Sequence, residues 1–202
     1  MTDKPKILAL LETQHVAEDI DRLQILGFKC FQVCRKKHKF GRKHGGIAVF
    51  VHDSLLTGVS KIPSQGSDSI ILKLNSVFFN LEEDIYLVFT YCSPANSSYT
   101  LRNELDFFSE IEQKLNSLGQ NAQILLLGDL NARTGSKLDY ISDEENKNLS
   151  LPDDYVTDTT ATYPRGNRDP ECNKYGDSLI SLCKTVPLRI CNGRKSTPQQ
   201  NG

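Results

Sequence analysis

No apolar run in the 202-residue chain approaches the roughly 18 residues that a membrane-spanning helix needs, and neither an internal repeat nor a low-complexity tract is present. The chain therefore reads as globular, with no membrane partner expected. A secretory opening is also missing: "MTDKPKILALLETQ" has too short an apolar stretch and meets acidic and polar residues at once. A nuclear or cytoplasmic, non-secreted protein with reduced thiols is expected. The six cysteines (Cys30, Cys34, Cys92, Cys172, Cys183, Cys191) are scattered, and "FKCFQVCR" lacks the paired CxxC knuckles of a zinc site, so they read as structural thiols. Imidazole is scarce after the first quarter, because His15, His38, His44 and His52 are all the histidines there are. Charge has almost no net sign: 24 Lys and Arg against 25 Asp and Glu give −1, which argues neither for nor against a polyanionic partner.

What is present is an ordinary globular composition, 38% hydrophobic and 24% charged, long enough for one domain over residues 1–202 with a sizeable core. "KILALLE" reads as a strand, and "VAEDIDRLQILG" carries Val16, Ile20, Leu23 and Leu26 at helical spacing with Gly27 as cap. Four strand-like runs follow, "FKCFQVCR", "GGIAVFVHD", "SIILKLN" and "DIYLVFTYC", an order that favours antiparallel hairpins. Leu101, Leu105, Phe108, Ile111, Leu115 and Leu118 predict a helix over roughly 100–118, ended by Gly119. Beyond it come the run "QILLLGD", a long polar loop, a helix near 174–185 and a strand at "LRICN". The four apolar residues of "QILLLGD" read as a strand buried on both faces, so that Asp129 at its end needs a compensating partner.

Charge is concentrated where the sum conceals it. "RKKHKFGRKH" places Arg35, Lys36, Lys37, Lys39, Arg42 and Lys43 within ten positions, a basic loop able to contact phosphates, or else a solvated connection or a targeting patch. Three apolar runs also end in polar clusters: "LALLETQ" in Glu12, "YLVFTYCSP" in Tyr91, and "ILLLGDLN" in Asp129 and Asn131. Taken singly, Glu12 serves as a helix-entry carboxylate, Tyr91 as a core aromatic with its hydroxyl at the rim, and Asp129 with Asn131 as turn chemistry. Taken together they read as a site, because ligands of α/β sheets sit outside strand ends and Gly128 allows close backbone approach just before Asp129. A hard cation such as Mg2+ needs only one or two carboxylates plus water and phosphate oxygens, which Glu12 and Asp129 can offer.

"ILALLETQ", "GGIAVFV", "FTYCSP", "LLLGDLNARTG" and "LRICNGR" occur in the order found in the endonuclease/exonuclease/phosphatase superfamily. The chain most resembles the apurinic/apyrimidinic-endonuclease-like domains of non-LTR, LINE-type retrotransposons. That resemblance implies an α/β fold, a four-layer α/β/β/α sandwich of two mixed sheets, and a Mg2+-dependent phosphodiesterase that nicks DNA, with Mn2+ as an alternative metal. It makes Glu12 the metal ligand and Tyr91 a hydrogen-bond donor around the scissile phosphate. Asp129 would orient and deprotonate the attacking water, and Asn131 would hold Asp129 and the phosphate oxygens in register. The same resemblance implies a fused reverse transcriptase in a longer parent. It also implies that the family's first strand with its Asn, and its C-terminal strands with a catalytic His, are missing. On that account the sandwich is incomplete, and the chain is expected to nick plasmid no faster than a Glu12→Ala variant. A non-catalytic nucleic-acid-binding remnant, or a phosphodiesterase acting on a lipid or inositol phosphate, are the alternative readings.

Overall fold

The computed structural model describes residues 4–15, 23–35, 45–64, 66, 68–97, 100, 106–119, 121–142 and 165–194. Lys36, Lys37, Lys39, Arg42 and Lys43, most of the long polar loop, and residues 16–22 and 101–105 of the two expected helices lie outside them. The chain divides into two compact units. The first comprises Met1–Phe107 and Lys114–Leu130, the second Phe108–Gln113 and Asn131–Gly202.

In the first unit, alternation of apolar residues builds two sheets around one core. β1 (Ile7–Leu11), β2 (Phe28–Val33) and β3 (Ile47–His52) form an antiparallel sheet in the order β1-β3-β2. β4 (Val59–Ile62), β5 (Ser69–Leu74), β6 (Ile85–Tyr91) and β7 (Gln123–Asp129) form a mixed sheet in that order, with β6 and β7 parallel. Every second residue points inward: Ile47, Val49 and Val51 from β3 meet Ile70 and Leu72 from β5 and Leu87, Phe89 and Tyr91 from β6 in one buried cluster. Ala48, Phe50, Ile71 and Val88, on the opposite parity, are buried as well, so the central strands are covered on both faces. The expected α/β architecture of two stacked sheets is thus present.

Sequence pattern and structure part company at several elements. The β2–β3 and β5–β6 hairpins are antiparallel as read, but β3 and β5 belong to different sheets, joined through a 3-10 turn (Asp53–Gly58) and the unpredicted β4. A single helical turn, α1 (Ser76–Phe79), capped by the Asn75 side chain, fills the β5–β6 link. Leu23–Leu26, expected to be helical, are not: 23–25 carry no regular element, and Leu26 and Gly27 form a turn closed by the Phe28 amide on the Ile25 carbonyl, with Gly27 at φ 80°. The run 123–129 is not buried on both faces. β7 is an edge strand among the described residues, with Leu125 43% exposed and Asp129 exposed, because apolar content alone does not report how many neighbours a strand has.

α2 (Phe107–Asn116) carries Phe108, Ile111 and Leu115 buried, as its spacing predicts. Its last turn is tied to the first unit's sheet by Lys114, whose Nζ donates to Ser69 Oγ at 3.0 Å. In the second unit, α3 (Lys174–Thr185) starts at Asn173, whose side chain accepts from the Gly176 amide at 2.7 Å, and it buries Leu179, Ile180, Leu182 and Cys183. All six cysteines are thiols, and burial pushes the Cys183 thiol up to about 12, as expected of an inert structural group.

"LRICN" is not a strand. Its backbone is recruited by the buried Asp139, whose Oδ2 accepts from the Ile190 amide at 2.7 Å and whose Oδ1 pairs with Arg194 at 2.6 Å. Burial alone would raise the Asp139 pKa, but the bonds from Arg194 and Ile190 outweigh it and hold the carboxyl below its usual range. A carboxyl depressed in the folded state contributes stability that is complete above its unfolded pKa of about 3.9 and is lost as pH falls through the folded value. The urea midpoint is therefore expected to drop on acidification below about pH 4 and to do so less steeply in Asp139→Asn. Parallel pH profiles for the two proteins would contradict this.

Candidate active site

One end of each sheet of the first unit carries the polar groups. At this end β1 runs out into Glu12, β2 into Arg35, and β3 begins after Gly45 and Gly46; on the other sheet β5 begins after Asp68, β6 ends at Tyr91, and β7 ends at Asp129. Side-chain bonds join the two ends. The Tyr91 hydroxyl donates to Glu12 Oε1. Arg35 Nε donates to Asp68 Oδ1 at 2.5 Å, and its Nη1 to Ser93 Oγ at 2.6 Å.

Backbone pairing sets the remaining geometry. Tyr91 and Asp129 are partners in the parallel β6–β7 register, and the Cys92 amide donates to the Asp129 carbonyl at 2.8 Å, so both side chains leave the sheet at the same level. The Asp68 carbonyl accepts from the Tyr91 amide at 3.1 Å and from Thr90 Oγ1 at 2.7 Å, which fixes the strand end that carries the tyrosine. Glu12 and Gln14 sit at φ 54° and 52°, a left-handed conformation that costs a residue with a Cβ about 1–3 kcal/mol. Strain of this kind falls here at a strand end, on the residue that accepts the tyrosine's bond.

Tyr91 is buried, the last inward-facing residue of β6, and its phenol is held well above its usual range. Burial is the main cause, followed by the hydrogen bond to Glu12 and that carboxylate's charge, with Arg35 acting in the opposite direction. Tyr91 is consequently a permanent O–H donor. The Arg35 guanidinium lies 5.5 Å from the centre of its ring.

Of the residues singled out by sequence, the structure brings Glu12, Tyr91 and Asp129 together. Asp129 is exposed and so does not need the compensation expected of a buried carboxylate. Asn131 belongs to the second unit, at φ 48°, where its carbonyl accepts from Asn173 Nδ2 at 2.9 Å. Arg35 departs from its expected place in an exposed basic loop. It is 7% exposed and paired with Asp68, because Phe31, Val33 and Arg35 share one strand parity and that face is the core. That parity was the signal in the sequence, since an arginine aimed inward calls for a carboxylate; Asp68 and Ser93 had no comparable signal. His52 sits at the opposite end of β3, its amide bonded to the Lys6 carbonyl, while His15 has a buried Nδ1 without a hydrogen-bond partner among the described residues.

The described residues contain no group of three or more His, Cys, Asp or Glu able to enclose a metal. A hydrated cation that takes one carboxylate and completes its shell from water and phosphate oxygens is compatible with Glu12, whose Oε1 accepts from Tyr91 and whose side chain belongs to an exposed residue. No described helix is long and apolar enough to cross a membrane.

Fold and strand-end groups together define a two-sheet α/β protein with a carboxylate–tyrosine site at the sheet ends. No protein-family model matches the sequence, and no curated protein matches it. Among solved structures, the human nocturnin catalytic domain with a bound sulfate anion is similar over 64% of this chain and 52% of that one, at 14% identity and a TM-score of 0.40. The chain thus spans about half the length of that structure.

Proposed function

We propose that the chain carries a Mg2+-dependent phosphodiesterase site of the endonuclease/exonuclease/phosphatase type, of retrotransposon origin and acting on DNA. The observation that carries this reading is the Tyr91–Glu12 hydrogen bond at converging strand ends, with Asp129 in register beside Tyr91. In-line displacement at phosphorus needs an aligned water and donors for the growing nonbridging charge, and no covalent intermediate. Glu12 would hold the cation, Mg2+ or alternatively Mn2+, which when bound neutralises phosphate charge and polarises the phosphoryl oxygen. Tyr91 orients the Glu12 carboxylate, in the way that outer-shell donors orient metal ligands. Asp129, exposed and next to Tyr91, accepts the proton of the attacking water. Lys36, Lys37, Lys39, Arg42 and Lys43 supply the charge that holds a duplex backbone.

Calorimetric Mg2+ titration tests the assignment without requiring turnover. Glu12→Ala is expected to weaken Mg2+ binding by more than the roughly 10–100-fold that outer-shell partners cost, and Tyr91→Phe to fall within that range. Equal Mg2+ affinity in the native protein and Glu12→Ala would remove Glu12 as the ligand and the phosphodiesterase reading with it. Plasmid nicking in Mg2+ against EDTA then measures turnover directly, and the chain is expected to nick no faster than Glu12→Ala.

A further inference from the structure

We propose that Arg35 is the positioning residue of this site, its clamped guanidinium holding the Tyr91 ring where its hydroxyl meets Glu12. This deepens the phosphodiesterase reading and rests on it for its functional meaning. The guanidinium occupies a slot. Tyr91's ring lies over it at 5.5 Å, and a Cβ placed on Gly45 would come within 2.8 Å of its Cζ, Nε and Nη1, so it is packed against the Gly45 backbone. Asp68 and Ser93 hold it at 2.5 and 2.6 Å. With its side chain 5% exposed, Arg35 is enclosed beneath the strand ends and is not a solvent-facing contact for substrate phosphates.

Stability is a poor explanation for such a group. A buried ion pair can often be replaced by well-packed apolar residues without loss, so its presence points to what it orients. The two residues that clamp Arg35 flank the tyrosine's own strand end: Asp68 accepts the Tyr91 amide through its carbonyl, and Ser93 follows Tyr91 by two positions. Arg35 therefore touches the ring, and its partners fix the backbone from which the ring projects. Lysine cannot substitute, because a point charge offers neither the two-pronged bonding to Asp68 and Ser93 nor a flat face for the ring.

The test is nuclear magnetic resonance of tyrosine-labelled protein, with Tyr91→Phe assigning the Tyr91 signals. The native protein is expected to show a protected Tyr91 hydroxyl proton. In Arg35→Lys that proton is lost and the Tyr91 ring signals shift, while the other tyrosines stay in place. Ser93→Ala and Gly45→Ala displace the same signals, which keeps the proposal testable if Arg35→Lys does not fold. A folded Arg35→Lys with native Tyr91 signals, or folded Ser93→Ala and Gly45→Ala proteins that both keep them, overturns the proposal. Added Mg2+ separates the two readings: a native protein whose Tyr91 signals ignore Mg2+ while remaining sensitive to Arg35→Lys rejects the metal site and leaves the positioning intact.

Discussion

Alanine in place of Gly128 is expected to destabilise the first unit by about 4 kcal/mol or more, a range reached by few single substitutions. Gly128 sits at φ 143° and is paired with Thr90 across the parallel β6–β7 ladder. A Cβ there would fall inside the van der Waals surface of the Thr90 carbonyl oxygen and lie 2.9 Å from its carbon. Thr90 cannot yield, since it is fully buried and its hydroxyl is bonded to the Asp68 carbonyl. Strand β7 would have to leave β6, and Asp129 would leave Tyr91. Gly119→Ala is the control. Its φ of 107° is also left-handed but nothing lies within 4 Å of the added carbon, so it should cost only the conformational part, about 1–3 kcal/mol. Equal urea midpoints for the two variants would show that the close approach of the strands is not what Gly128 provides.

Asp68→Ala should cost about 3–5 kcal/mol, because it leaves the enclosed Arg35 guanidinium without its counter-charge. Burial decides the magnitude. The exposed pair Arg133–Asp169 in the second unit, bonded at 2.7 Å with side chains 50% and 37% exposed, is screened by water, and breaking it should shift the urea midpoint far less. The double change Arg35→Met with Asp68→Leu removes both charges and is expected to recover most of the loss. A denaturation series in which the single and double variants are equally unstable would show that packing, not the uncompensated charge, sets the cost.

Periodicity made the sheets legible where apolar residues alternate or run unbroken, as in "GGIAVFV" and "YLVFTY", and it made α2 and α3 legible through their spacing. Two kinds of element escaped it. Short pieces such as β4 and α1 owe their conformation to neighbours, Val59 pairing with Leu74 and Asn75 capping the turn, rather than to a pattern of their own. Rank within a sheet escaped as well: "ILLL" and "IAVFV" are both unbroken apolar runs, yet β7 lies at an edge among the described residues while β3 is central, because position depends on pairing that a single run does not encode. At the site, the strand-end polar groups Glu12, Tyr91 and Asp129 stood out because each interrupts an apolar run. Asp68 and Ser93 did not, since their role exists only once two sheets bring distant loops together. "LRICN" looked like a strand for the converse reason: the amide at its centre, that of Ile190, is taken by one buried carboxylate, a partner no local pattern announces.

The bonds that assemble the site close long stretches of chain: Tyr91 to Glu12 spans 79 residues, Arg35 to Ser93 58, and Arg35 to Asp68 33. Contacts of that separation form only after the intervening chain has given up its freedom, and parallel pairing such as β6–β7 is slow for the same reason. These bonds are therefore a clock for folding. The Tyr91–Glu12 bond should appear in the final phase of refolding, after the β2–β3 and β5–β6 hairpins, so that any Mg2+ affinity reports completed chains and no isolated hairpin shows it.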